Sequence, residues 1–210
     1  MWTGRISGML GIVGDATTQR STGSDVRELG SKLRRAGTGD LTADDVAAIR
    51  ALLVAAFGTD EDERFREEDW QRSIGGTHFV LTTDAEIVAH ASVVQREIHV
   101  DGRPLRTGYV EAVATAPGRQ KEGFGTTVMR DVGTYIREGF ELGALGTGSH
   151  GFYERLGWLT WQGPSNVRTA TGTLPTPDDD GYIMVLSTPT SPALDLTTPI
   201  SCEWRPGDVW

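Results

Sequence analysis

The chain has 210 residues, enough for one domain with a sizeable core. Its 29 acidic and 20 basic residues give a formal net charge of −9, which argues against nucleic acid as a partner and favours a cationic ligand. A single cysteine, Cys202, excludes an intramolecular disulfide, and we expect no metal site. No run approaches the ~18 apolar residues that cross a membrane, and no secretory signal opens the chain, so we expect a cytoplasmic protein.

The first part of the chain predicts an extension followed by the first elements of a domain. Residues 1–24 are rich in Gly, Ser and Thr and predict a flexible N-terminal extension, whereas residues 25–210 predict a single domain. Val26 to Leu33 predicts a first strand. Thr42 supplies a hydroxyl cap for a helix whose apolar residues recur at helical spacing as far as Phe57.

An acidic run, DEDERFREED, extends from Asp60 to Asp69. Such a run is typical of a solvated surface. Its position between the first helix and Trp70 also suits a short helix or a loop that faces a cationic substrate.

The rest of the pattern alternates strands and helices. Asp101-Gly102 marks a tight turn, and Gly157 closes a helical turn. The strand that contains Glu111 is otherwise apolar, which is typical of a strand buried on both faces. The predicted strands are His78–Thr82, Glu86–Gln95, Thr107–Thr115, Glu141–Leu145, Tyr182–Leu186 and Ile200–Trp204, with helices through Val128–Ile136 and Phe152–Trp158. This order indicates a mixed α/β sandwich.

A glycine-rich turn follows the central strand. Pro117 and Gly118 end that strand, and the sequence Gln120-Lys121-Glu122-Gly123-Phe124-Gly125 leads into the next helix. Unpaired N–H groups at the start of a helix, together with its dipole, bind phosphate, and glycines let the backbone approach a pyrophosphate. An ordinary strand-to-helix turn is the alternative.

Two motifs in order resemble the GCN5-related N-acetyltransferase (GNAT) superfamily. The spacing [Gln/Arg]-x-x-Gly-x-[Gly/Ala] resembles its pyrophosphate loop, and Phe152-Tyr153-Glu154-Arg155-Leu156-Gly157-Trp158 resembles its second signature. The resemblance implies the GNAT fold, an α/β architecture in which helices flank a mixed sheet with splayed central strands. It also implies acetyl-CoA as cosubstrate, held by the backbone of Val113 and Thr115 and by Gln120, Lys121, Glu122, Gly123, Phe124 and Gly125.

A narrower resemblance is to the aminoglycoside 2′-N-acetyltransferases of mycobacteria and related actinomycetes. Four blocks carry it: Asp69-Trp70 with Gly75-Gly76-x-His78, Gly108 to Glu111, Thr176 to Gly181, and Trp204 to Trp210. It implies acetylation of an aminoglycoside 2′-amine, antibiotic resistance and a homodimer. The implied substrate-binding residues are Asp69, Glu111, Ala112, Thr147, Asp179, Asp208 and Trp210, the last through its terminal carboxylate; among Asp60, Asp62 and Glu63 a further contact cannot be assigned.

The chemistry requires a proton acceptor and a proton donor. An ammonium is not a nucleophile, so Glu111 is the candidate base, directly or through water; it could also only bind the substrate or be a structural acid. Tyr153 is the candidate acid for the leaving thiolate, because a tyrosine pKa of about 10 lies near a thiol pKa of ~8.5. Its alternative is a packing role.

Two other functions stay open. The same fold could acetylate another amino-sugar-containing molecule, such as a cell-wall or thiol precursor. A non-catalytic protein that binds CoA or aminoglycoside is the other possibility, and the presence of both Glu111 and Tyr153 argues against it.

Overall fold

A computed structural model describes residues 30–58 and 64–210, which form a ten-stranded mixed sheet with four α-helices. The strands are β1 (Lys32–Gly37), β2 (Thr77–Thr83), β3 (Glu86–Val100), β4 (Arg103–Thr115), β5 (Leu142–Gly146), β6 (Leu159–Thr160), β7 (Ser165–Thr169), β8 (Gly172–Pro175), β9 (Ile183–Ser187) and β10 (Ile200–Glu203). The helices are α1 (Ala43–Phe57), α2 (Glu67–Ser73), α3 (Phe124–Gly139) and α4 (His150–Glu154), with 3₁₀ turns at Thr38–Asp40 and Pro177–Asp179.

The long strand β3 organises the sheet. The strand order is β6-β9-β5-β4-β3-β10-β7-β8, and β2 with β1 joins at the first half of β3. One edge of β3 pairs with β2 from Glu86 to Val93 and with β10 at His99 and Val100, while its other edge pairs with β4. A strand of 15 residues is long enough to serve both partners on that edge.

Helices cover both faces of the sheet. Phe79 and Leu81 of β2 pack in a cluster with α3, whereas Val80 packs with α1 and α2. Because side chains alternate between faces along a strand, α3 lies on the face opposite α1 and α2. The predicted start of α1 is confirmed by a capping box, in which Asp45 N–H donates to Thr42 Oγ1 at 3.1 Å.

The C-terminal segment forms a core of its own with the middle of the sheet. Val209 and Trp210 are buried against Tyr109 of β4, and Cys202 of β10 is buried with them. Arg205, between β10 and these residues, places its guanidinium 5.5 Å from the centre of the Tyr109 ring. The end of the described chain therefore reaches the central strand.

A β-bulge interrupts β4. Ser92 of β3 pairs with Glu111 and His90 pairs with Ala114, so Ala112 and Val113 together face one residue of β3. Ala112 takes φ of 51°, in the left-handed region that side chains disfavour. Val110 and Val113 consequently pack in the same cluster. In a regular strand, two residues that are three positions apart would lie on opposite faces of the sheet.

The structure corrects some predicted elements. The first described strand is Lys32–Gly37, whereas the prediction was Val26–Leu33. The first residues of that predicted strand lie outside the described ranges, and so do residues 1–24 and Asp60 to Glu63. Strands β6 to β8 were not predicted. They are two to five residues long, and β8 is exposed throughout, so no apolar alternation marks them; β7 exists because it pairs with β10, distant in sequence.

Two buried histidines make stability depend on pH. Burial lowers the pKa of His78 from 6.5 to about 4, and burial with the neighbouring His78 lowers the pKa of His90 to about 3. The unfolded chain therefore binds protons that the folded chain does not, and stability is lost as pH falls below about 6.5. Between pH 7 and pH 5 we expect His78 alone to cost about 2 kcal/mol of unfolding free energy.

The measurement is urea unfolding of the wild type and of a His78→Gln/His90→Gln variant at several pH values. The difference between the two should shrink as pH falls, whereas a variant at the partly exposed His99, His99→Gln, should follow the wild type. Parallel curves for the wild type and the double variant would contradict the prediction.

Candidate active site

Strands β4 and β5 separate at the centre of the sheet. Their parallel pairing covers only Thr107 to Tyr109 of β4, yet β4 continues to Thr115 and β5 to Gly146. The predicted splay of the central strands is thus confirmed. Backbone groups of β4 beyond Tyr109 lose their partners on the β5 side, so they are available to a ligand that enters the split.

The end of the split has the features of a phosphate site. Gly123 precedes α3 with φ of 90°, a conformation that suits glycine, and α3 begins at Phe124. The predicted residues Gln120 to Gly125 therefore span the loop and the first turn of α3, where helix N–H groups lack intrahelical acceptors. Arg119 contacts the exposed Glu122 carboxylate at 3.0 Å and so balances the charge of this acid.

Val113 and Thr115 fit backbone and hydroxyl contacts with a ligand in the split. The Val113 side chain is buried in the cluster around α3, which leaves only its backbone for a ligand. Thr115 is buried, and its Oγ1 has no hydrogen-bond partner within the described ranges. A buried hydroxyl without a partner is costly, and a polar group of a bound molecule would satisfy it.

Arg205 draws the C-terminal segment onto β4. Its Nη1 donates to Glu111 Oε1 at 2.7 Å, its Nε donates to the Asp208 carbonyl at 2.8 Å, and its Nη2 donates to the Trp210 backbone oxygen at 3.3 Å. The predicted residues Glu111, Asp208 and Trp210 thereby meet around one guanidinium.

Arg72 brings two further predicted acids together. Its Nη2 contacts Asp69 Oδ1 and lies 3.6 Å from Asp208 Oδ2, and the Arg72 side chain is only 11% exposed. Asp69 also accepts from the Arg66 N–H at 2.7 Å, which caps α2.

Neither arginine was predicted to lie in the site. A signal existed, because each lies three residues from a predicted acid, Arg72 from Asp69 and Arg205 from Asp208.

A buried network connects Trp210 to the turn that carries Asp179. The Trp210 indole N–H donates to Thr176 Oγ1 at 3.1 Å, and Ser165 Oγ bonds both Thr176 and Asp180 at 2.8 Å, which fixes the 3₁₀ turn that carries Asp179. Asp179 Oδ2 is buried and lacks a partner among the described residues. Burial, and then the carboxylates of Asp208, Asp178 and Asp180, raise the pKa of Asp179 to about 6. Thr176 hydrogen-bonds the same carboxyl group and opposes this rise, and a cation that reached Oδ2 would stabilise the charged form.

Thr147 and Ala112 border the same region. A Cβ atom on Gly146 would lie 3.8 Å from the carbonyl carbon of Trp210. Thr147 is the next residue, so it lies near the C-terminal segment. The Thr147 hydroxyl accepts from Ser149 N–H at 2.9 Å. The Ala112 carbonyl accepts a hydrogen bond from His90 at 2.8 Å.

Tyr153 lies on the other side of the sheet from Glu111. It packs with Val113 in the cluster around α3, with its ring centre 5.0 Å from that of Phe152, whereas Glu111 alternates with Val110 and faces Arg205. Burial raises the pKa of Tyr153 above its usual value of 10. The phenol therefore keeps its proton at neutral pH, but the predicted near match with a thiol pKa does not hold in this structure.

A family model described as "Acetyltransferase (GNAT) domain" matches residues 39–160. The chain belongs to the GNAT acetyltransferase family. It is 38% identical over 177 residues to an "Aminoglycoside 2'-N-acetyltransferase" of Mycolicibacterium fortuitum, which covers 82% of this chain and 89% of that relative. This membership makes the protein an acyltransferase.

Solved structures share the GNAT fold at low identity. A GNAT family acetyltransferase from Brucella melitensis in complex with acetyl-CoA matches with a TM-score of 0.54 and 20% identity over 80% of this chain and 95% of that one. A GNAT family N-acetyltransferase from Escherichia coli in complex with CoA matches with a TM-score of 0.58 and 16% identity over 86% of this chain and 93% of that one.

The described residues contain neither a membrane-spanning helix nor a group of side chains that could bind a metal ion. In residues 30–58 and 64–210 no helix has the length and apolar character needed to cross a membrane. Within the same ranges no group of three or more His, Cys, Asp or Glu side chains is arranged to hold a metal ion.

The Glu111–Arg205 pair should contribute measurably to stability. Both side chains are largely buried, at 16% and 14% exposure, so removal of Arg205 leaves a carboxylate with little water around it. A double-mutant cycle with Arg205→Met and Glu111→Gln should give a coupling of about 2 kcal/mol in the unfolding free energy.

The matched control is the exposed Arg50–Glu67 pair, which the same substitutions remove. Its coupling should be much smaller, since water and salt screen exposed ion pairs. Equal couplings for the two pairs would show that Arg205 does not stabilise Glu111 in the way the structure indicates.

Proposed function

We propose that this acyltransferase moves the acetyl group of acetyl-CoA to the 2′-amine of aminoglycoside antibiotics, and so gives resistance to them. The observation that carries the proposal is the convergence of Glu111, Asp69, Asp179 and Asp208 around the C-terminal segment, beside the split between β4 and β5. A polycationic amino sugar is the kind of ligand that such a set of carboxylates attracts. The name of the Mycolicibacterium fortuitum relative supports the same substrate class.

Acetyl-CoA fits the split on its chemistry. It supplies an activated acetyl thioester, and the loop from Gln120 to Gly125 would hold its pyrophosphate through backbone N–H groups and the α3 dipole. The partnerless Thr115 hydroxyl and the backbone of Val113 would meet the amide-bearing arm. Backbone donors that are fixed before reaction lower the energy of a developing oxyanion.

Glu111 is proposed as the proton acceptor for the substrate amine. Arg205 binds its Oε1, so Oε2 is the oxygen that would take the proton, directly or through water. The guanidinium also fixes the carboxylate in position, which removes the entropy cost of ordering it during reaction.

Tyr153 is proposed as the proton donor to the leaving thiolate. Its buried phenol is fully protonated at neutral pH because burial raises its pKa. A thiolate formed in the same apolar surroundings would also be destabilised, which favours transfer of the proton to sulfur.

Substrate cations would compete with arginines already present. Arg72 contacts both Asp69 and Asp208, so an ammonium group must share these carboxylates or displace the guanidinium. Asp179 lacks such a partner and would form the strongest new contact; a charged hydrogen bond contributes roughly 1.5–3 kcal/mol.

We also propose acetyl-CoA as the cosubstrate and a homodimer as the assembly.

The main alternative function is acetylation of another amino-sugar-containing molecule, which would use the same site. The second alternative is a non-catalytic protein that binds CoA or aminoglycoside, which would have no use for both a base and an acid.

The test is release of free thiol from acetyl-CoA across a panel of aminoglycosides. Gentamicin and tobramycin carry a 2′-amine and should be acetylated, whereas kanamycin A carries a hydroxyl there and should not. Equal turnover of both classes would move the acceptor elsewhere on the sugar. No turnover by protein that still binds CoA would overturn the aminoglycoside proposal and favour another amine.

The KM for the aminoglycoside should rise as pH falls below the Asp179 pKa of about 6. Protonation removes the negative charge that attracts an ammonium group, so between pH 7 and pH 5 we expect an increase of about tenfold. Asp179→Asn should show a high KM with a weaker pH dependence over this interval, whereas the exposed neighbour Asp178→Asn should follow the wild type. An unchanged pH profile in Asp179→Asn would contradict this assignment.

A further inference from the structure

A chain of hydrogen bonds runs through the buried sheet to the bulge of β4. Thr38 Oγ1 lies 3.0 Å from His78 Nε2, His78 Nδ1 lies 3.0 Å from His90 Nε2, and His90 Nδ1 lies 2.8 Å from the Ala112 carbonyl oxygen. Both imidazoles are fully buried, in adjacent strands β2 and β3. The chain therefore connects the turn after β1 with the residue that follows Glu111.

The carbonyl at the Ala112 end fixes the direction of the bonds. A carbonyl only accepts, so His90 Nδ1 carries the proton and Nε2 of the neutral ring accepts. His78 must then donate from Nδ1, and its own Nε2 accepts from the Thr38 hydroxyl at 3.0 Å, in competition with the Gly76 carbonyl oxygen at 3.3 Å. The Gly75 N–H donates to that hydroxyl at 2.8 Å and holds it in place.

The direction of these hydrogen bonds excludes conduction of the substrate proton and favours a role in orienting groups. A proton leaving the substrate amine would meet an N–H at the Ala112 end, where no lone pair of His90 can accept it. Burial lowers the pKa of both histidines, so the rings stay neutral and the order of the bonds persists at neutral pH. The chain can orient groups but does not conduct the substrate proton.

The backbone of Ala112, where this chain of hydrogen bonds ends, needs support from its surroundings. Ala112 is held at φ of 51°, a conformation that is strained for a residue with a Cβ and persists only where its surroundings hold it. The bulge also takes its carbonyl out of the regular strand ladder, and His90 supplies a donor in place of a strand partner. A carbonyl has two lone pairs, so one stays available.

We propose that His90, oriented by His78 and Thr38, is a positioning residue for acetyl transfer: it fixes the Ala112 carbonyl and thereby sets the direction of Glu111 and of the second carbonyl lone pair towards the substrate amine. The inference rests on the proposed function for its substrate. Its structural part, the fixed bulge, does not depend on which amine is acetylated.

A matched pair of substitutions separates positioning from packing. The amide of His90→Asn reaches the place of Nδ1 and can still donate to the Ala112 carbonyl. The longer amide of His90→Gln reaches the place of Nε2, where it can bond His78 but leaves the Ala112 carbonyl without its donor. The two variants are of similar size and polarity, so a role in packing alone affects both to a similar degree.

The first measurement is steady-state thiol release with both variants. We expect His90→Asn to keep kcat within about threefold of the wild type, and His90→Gln to lose tenfold or more, since small displacements of catalytic groups cost up to ~100-fold. The KM for acetyl-CoA should stay within about twofold in both. Equal losses in the two variants, or no loss in His90→Gln, would overturn the proposal.

The second measurement requires no substrate. In ¹⁵N spectra His90 of the wild type should show a protonated Nδ1 and an unprotonated Nε2. The backbone amide shifts of Glu111, Ala112 and Val113 should move in His90→Gln and stay near the wild type in His90→Asn. An opposite tautomer, or unmoved shifts in folded His90→Gln, would refute the positioning role even if aminoglycosides prove not to be substrates.

Thr38→Val supplies a variant that is remote from the site. It removes the donor to His78 Nε2, so the Ala112 carbonyl alone then fixes the order of the bonds, and a moderate loss of kcat, about two- to fivefold, should follow. The wild-type kcat together with an unchanged His90 tautomer would limit the chain to His78 and His90 and contradict the role given to Thr38.

Discussion

The bulge at Ala112 is the constraint from which the site follows. It lies just beyond the last pair that β4 makes with β5, and an extra residue in one strand bends that strand and increases its twist. The two strands part there, and the split gives a ligand access to backbone groups that a regular sheet would pair. The extra residue reverses the side-chain alternation only after Glu111, so Val113 joins Val110 in one cluster. Glu111 itself still alternates regularly with Val110, and its carboxylate faces Arg205 and the C-terminal segment.

Charge compensation explains how so many acids can lie close together. Glu111, Asp69 and Asp208 each lie beside an arginine, and Arg205 also binds two backbone oxygens of the C-terminal segment. Without these guanidinium groups the carboxylates would repel one another in surroundings with little water. Asp179 is the exception, because its buried oxygen has no such partner and its pKa is raised. The arginines therefore offset most of the negative charge of the site, whereas Asp179 Oδ2 has no hydrogen-bond partner among the described residues.

The local elements with strong sequence signals were predicted well, and those that depend on distant partners were not. The capped start of α1, the hairpin of β2 and β3 and the glycine-rich entry to α3 follow from short-range chemistry at Thr42, Asp84-Ala85 and Gly123. Strands β7 and β8 have no such signal, since they are held by β10 and by a network around Ser165. The same distinction applies to the site: its acids lie in recognisable motifs, but Arg72 and Arg205 join it through contacts that no motif states.

By itself the sequence determined the family, the order of the main strands and helices, and the residue types available for chemistry, because these depend on composition, spacing and short motifs. Only the tertiary structure decided how the residues are used. It put Glu111 and Tyr153 on opposite faces of the sheet, paired Glu111 with Arg205 across a separation of 94 residues, and placed His90 on the carbonyl of Ala112. The physical reason is that burial, strand register and ion pairing are set by neighbours far away in the chain. Such neighbours exist only once the sheet has formed.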